Sequence, residues 1–280
     1  MQAFGIYFMI LGLRYLGDGY VGINPLTKYK WKRKVRITLP AFLCAFVPDA
    51  ALASINHYLE EGKPEDLNTY KMEDPVRLKV IVHVGPKGFQ KVGHICFSYD
   101  NIVYSYGNYD SDSFHLNQTI GDGIFFTVPL EKYIPNMISA ENNSIFEYGI
   151  STTPTQNAFI EKEIEKIRLN GYRWYTKIEK EDGYDHFSQY EMDYPSRLHY
   201  RTGAKLYKVK SGKFHIYWAL GDNCASFTDL VLGTLGADVL SIRGIISPGT
   251  YLDWLQKEYL KKSSPIVSRC IYTKETGNNR

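Results

Sequence analysis

The chain has 280 residues, 44% of them hydrophobic and 22% charged, the balance of a folded globular protein and not of a disordered one. Its net charge of +3 hides an asymmetry: the run KYKWKRKVR (28–36) carries six of the 33 Lys and Arg residues, and the rest of the chain holds three more acids than bases. Such a chain is not basic throughout, so nucleic acid is set aside as a partner. The four cysteines, Cys44, Cys96, Cys224 and Cys270, form no CxxC pair and are too few for a disulfide scaffold; they read as reduced thiols.

In chain order, residues 1–75 form an apolar and basic N-terminal segment. FGIYFMILGL (4–13) and ITLPAFLCAFV (37–47) are each shorter than the roughly 20 residues that cross a bilayer. The second follows the basic run and precedes ALAS, so it imitates a secretory signal that starts too late in the chain. Packed helices of a small subdomain are the simplest reading; membrane contact through 4–47, translocation, or an internal start with cleavage are the alternatives. EEGKPEDLNTYKMEDP (60–75) reads as a linker.

VRLKVIVHVG (76–85) is rich in β-branched residues and predicts a strand. KVGHICFSY (91–99) and IVYSYGNY (102–109) flank Asp100-Asn101 as a hairpin, and GIFFTVPL (123–130) and SIFEYGIS (144–151) predict two more strands. TPTQNAFIEKEIEKIRLNG (153–171) predicts a helix capped by Thr153 or Thr155, with Ile160, Ile164 and Ile167 on one face and Asn170-Gly171 at its end. An aromatic, aperiodic insertion spans 184–203, and AKLYKVKSGKFHIYWAL (204–220) predicts a hairpin about Ser211-Gly212. SPGTYLDWLQKEYLKK (247–262) opens a last helix at Ser247-Pro248, before a C-terminal tail over 263–280. Strands followed by helices on each side of the insertion predict an α+β fold.

GDNCASFTDLVLGTLG (221–236) carries the chemistry. Phe227, Leu230, Val231 and Leu235 follow helical spacing, Asp222 is the expected N-cap, and Cys224 falls in the first turn. Unpaired amides and the helix dipole there favour a thiolate, which predicts a thiol pKa below about 8.5 and donors for an oxyanion. A nucleophilic thiol needs a proton acceptor, normally histidine. Of seven histidines, His83 and His94 sit in apolar strands, and Gly93 before His94 leaves room for a neighbouring element. A two-residue turn at Asp100-Asn101 puts Ser105 on the face of His94, whereas a three-residue turn selects Tyr104 or Tyr106. Asn223 is an oxyanion donor or a cap. His94, Cys96 and Cys224 also define a zinc alternative with no evident fourth ligand. The bland alternative is that Cys224 is inert core, the usual fate of a lone thiol.

A His-bearing strand, a short hairpin, a strand ending in Tyr-Gly, and much later Asn-Cys opening a helix resemble the circularly permuted papain-like superfamily, with its NlpC-like, desumoylating isopeptidase-like and lecithin retinol acyltransferase-like members. NCASFTDLVL is similar to their Asn-Cys-x-x-Phe helix. YWALGDNC and ISPGTYLDWL resemble segments of C-terminal effector domains in Rhs-type polymorphic toxins. The resemblance covers about residues 78–258 and implies a permuted papain-like catalytic domain over 76–262, an antiparallel sheet packed on the Cys224 helix. It makes Cys224 the nucleophile and His94 the base; the third residue is read from the strand alternation instead, with Ser105 orienting the base and Asn223 and Tyr106 as oxyanion or supporting residues. No cofactor or metal is implied. The implied activity is that of a cysteine peptidase or amidase of bacterial effector type, acting on a protein, peptide or acyl substrate. Such a protein is cytoplasmic in the producer and then secreted or delivered into a target cell, with an immunity or delivery protein as partner. The sequence departs from the acyltransferase-like members where they carry a second histidine; YSYGNYD stands there. A lipid or small-molecule acyltransferase or thioesterase, and a non-catalytic binding module with a degenerate site, are the alternatives.

Overall fold

The fold is described from a computed structural model, over residues 69–70, 76–85, 93–116, 118–219, 222–235, 248–261 and 264–274. The expectations for the apolar stretches within 4–47 lie outside these residues. Among the described residues no helix is long and apolar enough to cross a membrane.

The strands are β1 (Thr69–Tyr70), β2 (Leu78–Val84), β3 (His94–Tyr99), β4 (Ile102–Gly107), β5 (Ile120–Asp122), β6 (Ile124–Pro129), β7 (Ser144–Ile150), β8 (Gly171–Trp174), β9 (Lys205–Val209), β10 (Ile216–Trp218) and β11 (Ile266–Tyr272). The helices are α1 (Leu130–Ser139), α2 (Pro154–Leu169), α3 (Lys177–Lys180), α4 (Tyr194–Thr202), α5 (Cys224–Thr234) and α6 (Pro248–Tyr259). Nine strands form one antiparallel sheet in the order β1-β11-β7-β2-β3-β4-β6-β9-β8, and β10 pairs with β5 in a separate ribbon. The class is α+β, as expected.

Alternation along the strands divides the core in two. Leu78, Val80 and Val82 of β2, Ile95 and Phe97 of β3, and Tyr104 and Tyr106 of β4 face α2, α5 and α6, where Ile160, Ile164, Phe227, Val231, Leu252 and Leu255 cover them. Ile81, Cys96, Val103, Phe126 and Ile145 face the other way, under Tyr133, Ile134 and Met137 of α1 and Leu198 of α4. Two layers of helix thus sandwich the sheet.

Local signals hold where they are strong. Asp100 and Asn101 have φ of 49° and 62°, the paired positive values of a two-residue type I′ turn, and Arg77 clamps the Asp100 carboxylate at 2.6 and 2.5 Å. Thr153 caps α2 in a reciprocal capping box with Gln156, Ile160, Ile164 and Ile167 are buried, and Asn170 closes the helix.

Three expectations need correction. Residues 204–220 are not a hairpin: β9 takes β6 and β8 as partners while β10 leaves to pair with β5. The segment 263–280 is not only a tail, because β11 enters the main sheet between β1 and β7 with Ile266, Val267 and Cys270 buried. Thr69–Tyr70, inside the expected linker, extend the same sheet, so the boundary at 76 does not mark the edge of the domain. The insertion holds a 3₁₀ stretch (Gly183–Tyr190) and α4, with β8 and α3 just before it. Helices α3 and α4 carry no sequence expectation, and neither does α1. Pro135 in its middle reads as a breaker and gives up the bond to the Glu131 carbonyl, but burial of Tyr133, Ile134, Met137 and Ile138 holds the helix down.

Candidate active site

Asn223, and not Asp222, caps α5. Its Oδ1 accepts from the Ser226 amide at 3.0 Å, and its own amide donates to Ser226 Oγ at 2.8 Å. Its side-chain amide donates to the Ala219 carbonyl at 2.8 Å. The carboxamide is engaged at both ends in holding the turn, which withdraws it from the oxyanion role. The Asp222 carboxylate instead accepts from the Phe214 amide at 3.4 Å. Cys224 is therefore the first residue of the helix.

That first turn sits in an opening in the sheet. β2 stays paired with β3 as far as His83 opposite His94, but the β3–β4 ladder ends at Phe97 opposite Tyr104. In a two-residue hairpin the pair flanking the turn is hydrogen-bonded, so Tyr99, Phe97 and Ile95 aim their backbone groups at β4. Ile95 finds no strand partner there. The Cys224 thiol lies against its N–H, and Thr228 Oγ1, one turn further along α5, donates to its carbonyl at 3.5 Å. One face of a helix turn substitutes for a β partner. Phe227 locks it in place, its ring 5.0 Å from Tyr106, 5.4 Å from Phe214, and 6.2 Å from both Phe97 and Phe125.

His94 opens β3 just after Gly93, whose φ of 85° turns the chain. Its Nε2 lies 2.7 Å from Ser105 Oγ, and Ser105 Oγ lies 3.3 Å from Tyr109 Oη. The turn of two residues does put Ser105 on the His94 face. Gly107 lets the chain fold back for this, since a Cβ there would meet the Tyr109 ring at 2.8 Å. His94 Nδ1 has no hydrogen-bond partner among the described residues. Tyr106 is on the opposite face, where its hydroxyl donates to the Phe214 carbonyl at 3.0 Å; it is a strut beneath α5 and not an oxyanion donor.

Cys224 and His94 approach the opening from opposite faces. The sulfur lies on the amide of the residue that follows His94. Electrostatics overturn one expectation. Burial pushes the Cys224 thiol up to about 11, more than the amides of Ile95, Ala225 and Cys224 itself pull it down. Burial pushes His94 down to about 4. At neutral pH both groups rest uncharged.

Three neighbours escaped the sequence reading. His83 stands opposite His94 across the strands, ring centroids 5.8 Å apart, with Tyr133 Oη 3.3 Å and Cys96 Sγ 3.6 Å from its Nε2. Tyr109 and Tyr133 complete the set. Period-2 alternation flags Cys96, but pairing His83 with His94 requires the strand register, which no local signal carries. Among the described residues no group of three or more His, Cys, Asp or Glu side chains could hold a metal ion, so His94, Cys96 and Cys224 do not form the zinc alternative. Compared with known proteins, the chain matches no family model, no curated protein and no solved structure.

Proposed function

We propose that the chain is a thiol hydrolase of permuted papain-like arrangement, cutting an amide or related acyl bond through an acyl-enzyme on Cys224. The observation that carries this reading is the seating of the Cys224 thiol on the amide of Ile95, the residue that follows His94, whose Nε2 lies 2.7 Å from Ser105 Oγ. With Nε2 protonated and donating to Ser105, Nδ1 is the lone pair that takes a proton. The thiol proton passes to His94 Nδ1 as sulfur attacks the carbonyl carbon, and the carbonyl electrons move onto oxygen. Collapse expels the amine or alcohol, which leaves with that proton. Water, deprotonated by the same imidazole, then cleaves the thioester and restores the thiol. Because both groups rest neutral, proton transfer accompanies attack instead of preceding it. Ser105 is uncharged, so it orients the imidazolium without the charge stabilisation that a carboxylate supplies. The bacterial effector context, with its delivery and its immunity partner, comes from the resemblance.

The test is acetylation by p-nitrophenyl acetate, followed by peptide mapping. Acetyl transfer to Cys224 is expected in the wild type, slowed when His94→Asn removes the base. No adduct at Cys224, or an equal rate in the variant, refutes the reading. A second reading, a non-catalytic binding module, is favoured by the burial of Cys224, 5% exposed and protonated at neutral pH. The same labelling separates the two. The acyltransferase alternative draws its motive from 4–47, outside the described residues.

A further inference from the structure

On the sheet face opposite α5, a cleft of about 240 Å³ opens beside His94. Its walls are mostly rings: His83, His94, Tyr109, Tyr133 and Tyr194, with Met137 among them. Tyr109 stacks on Tyr194 at 5.7 Å and His83 meets Tyr133 edge-on at 5.4 Å, so the walls brace one another. The one carboxylate in the lining, Glu141, is taken by Arg197 at 2.7 and 2.8 Å and by Arg201 at 3.5 Å. Burial keeps both imidazoles uncharged at neutral pH. An ionic group entering here would lose its hydration with no opposite charge to replace it. An apolar cavity of roughly 150 Å³ holds benzene, so this space suits a ring with a short arm. The cleft is also tied to the base: His94 lines it, and Tyr109 forms its wall and reaches Ser105, the hydrogen-bond partner of His94.

We propose that this cleft receives an uncharged aromatic group attached next to the carbonyl that Cys224 attacks, which makes the substrate an aryl-bearing amide or ester. The place of the carbonyl rests on the hydrolase reading; the seat for the ring does not.

Equilibrium binding to the full chain carrying Cys224→Ser tests it without turnover. The probe is N-methyl phenylacetamide, with phenylacetate as its charged match and N-methylacetamide as its ringless one, read by the His94 ring resonances in NMR. The aryl amide should shift His94 saturably, phenylacetate should bind at least about tenfold more weakly, and the ringless amide should not saturate. Tyr194→Trp, which adds bulk to the wall, should abolish the shift while the thermal midpoint stays; if that variant does not fold, Asn143→Phe in the same lining takes its place. A carboxylate that binds as tightly as the amide overturns the proposal. So does the absence of a saturable His94 shift, or binding that survives the filled cleft. If the probe binds but Cys224 of the wild type is never acetylated, the hydrolase reading falls and the aromatic seat stands. If Cys224 is acetylated but the aryl amide does not bind, the seat falls alone.

Discussion

Acidification should unfold this protein through its buried His83 and half-buried His94. Burial holds folded His94 near 4, against about 6.5 for an unfolded chain. Between those values the unfolded state binds a proton that the folded state refuses, so stability rises with pH there. The contribution is complete above 6.5 and is lost as pH falls towards 4. At about 1.36 kcal/mol per tenfold change in proton affinity, the whole gap is worth about 3 kcal/mol, of which about 2.5 is gone by pH 4.5. His83, also lowered by burial, acts in the same direction. The perturbation that isolates His94 is His94→Asn, which keeps an amide for Ser105 and cannot titrate. Urea unfolding of both proteins at pH 7, 6, 5 and 4.5 gives the difference, in which the carboxylates cancel and His83 retains only the part of its lowering that His94 causes. The wild type should lose about 2 to 3 kcal/mol relative to the variant across that range. A difference that stays flat would show that the ring is solvated and that His94 does not occupy the interior of a cleft.

Four other outcomes follow from the packing. Alkylation of Cys224 by iodoacetamide should rise with pH towards a midpoint near 11, since the thiolate is the reactive form; a midpoint below 8.5 would mean that the amides outweigh burial. Phe227→Ala removes the ring that four aromatics surround and should cost about 3–5 kcal/mol by thermal or urea unfolding. Asn223→Ala should cost about 1 kcal/mol through loss of the cap, and a neutral result would show the capping box to be idle. Gly123→Ala places a methyl 1.8 Å from the Phe214 carbonyl oxygen, so the unfolding free energy measured in urea should fall by more than the roughly 1 kcal/mol of an ordinary substitution.

What the amino-acid order determined by itself is the set of features that arise within a few residues. The Asp100-Asn101 turn, the capped helix over 154–169 with its isoleucine face, and the placing of Cys224 in a first helical turn all come from local hydrogen bonds and side-chain periodicity. Ser105 came with the turn, because two residues of loop leave only one parity for the returning strand. Tertiary structure decided the rest. Only strand order could carry β10 away from β9, bring β11 into the sheet and set His83 beside His94, since these depend on partners far along the chain. The pKa of Cys224 escapes the sequence for the same reason. Helix amides act over a few ångströms and are legible from the motif, whereas desolvation sums over every group packed around the sulfur. Here that sum is the larger, so the thiol rests protonated where the motif alone argued for a thiolate.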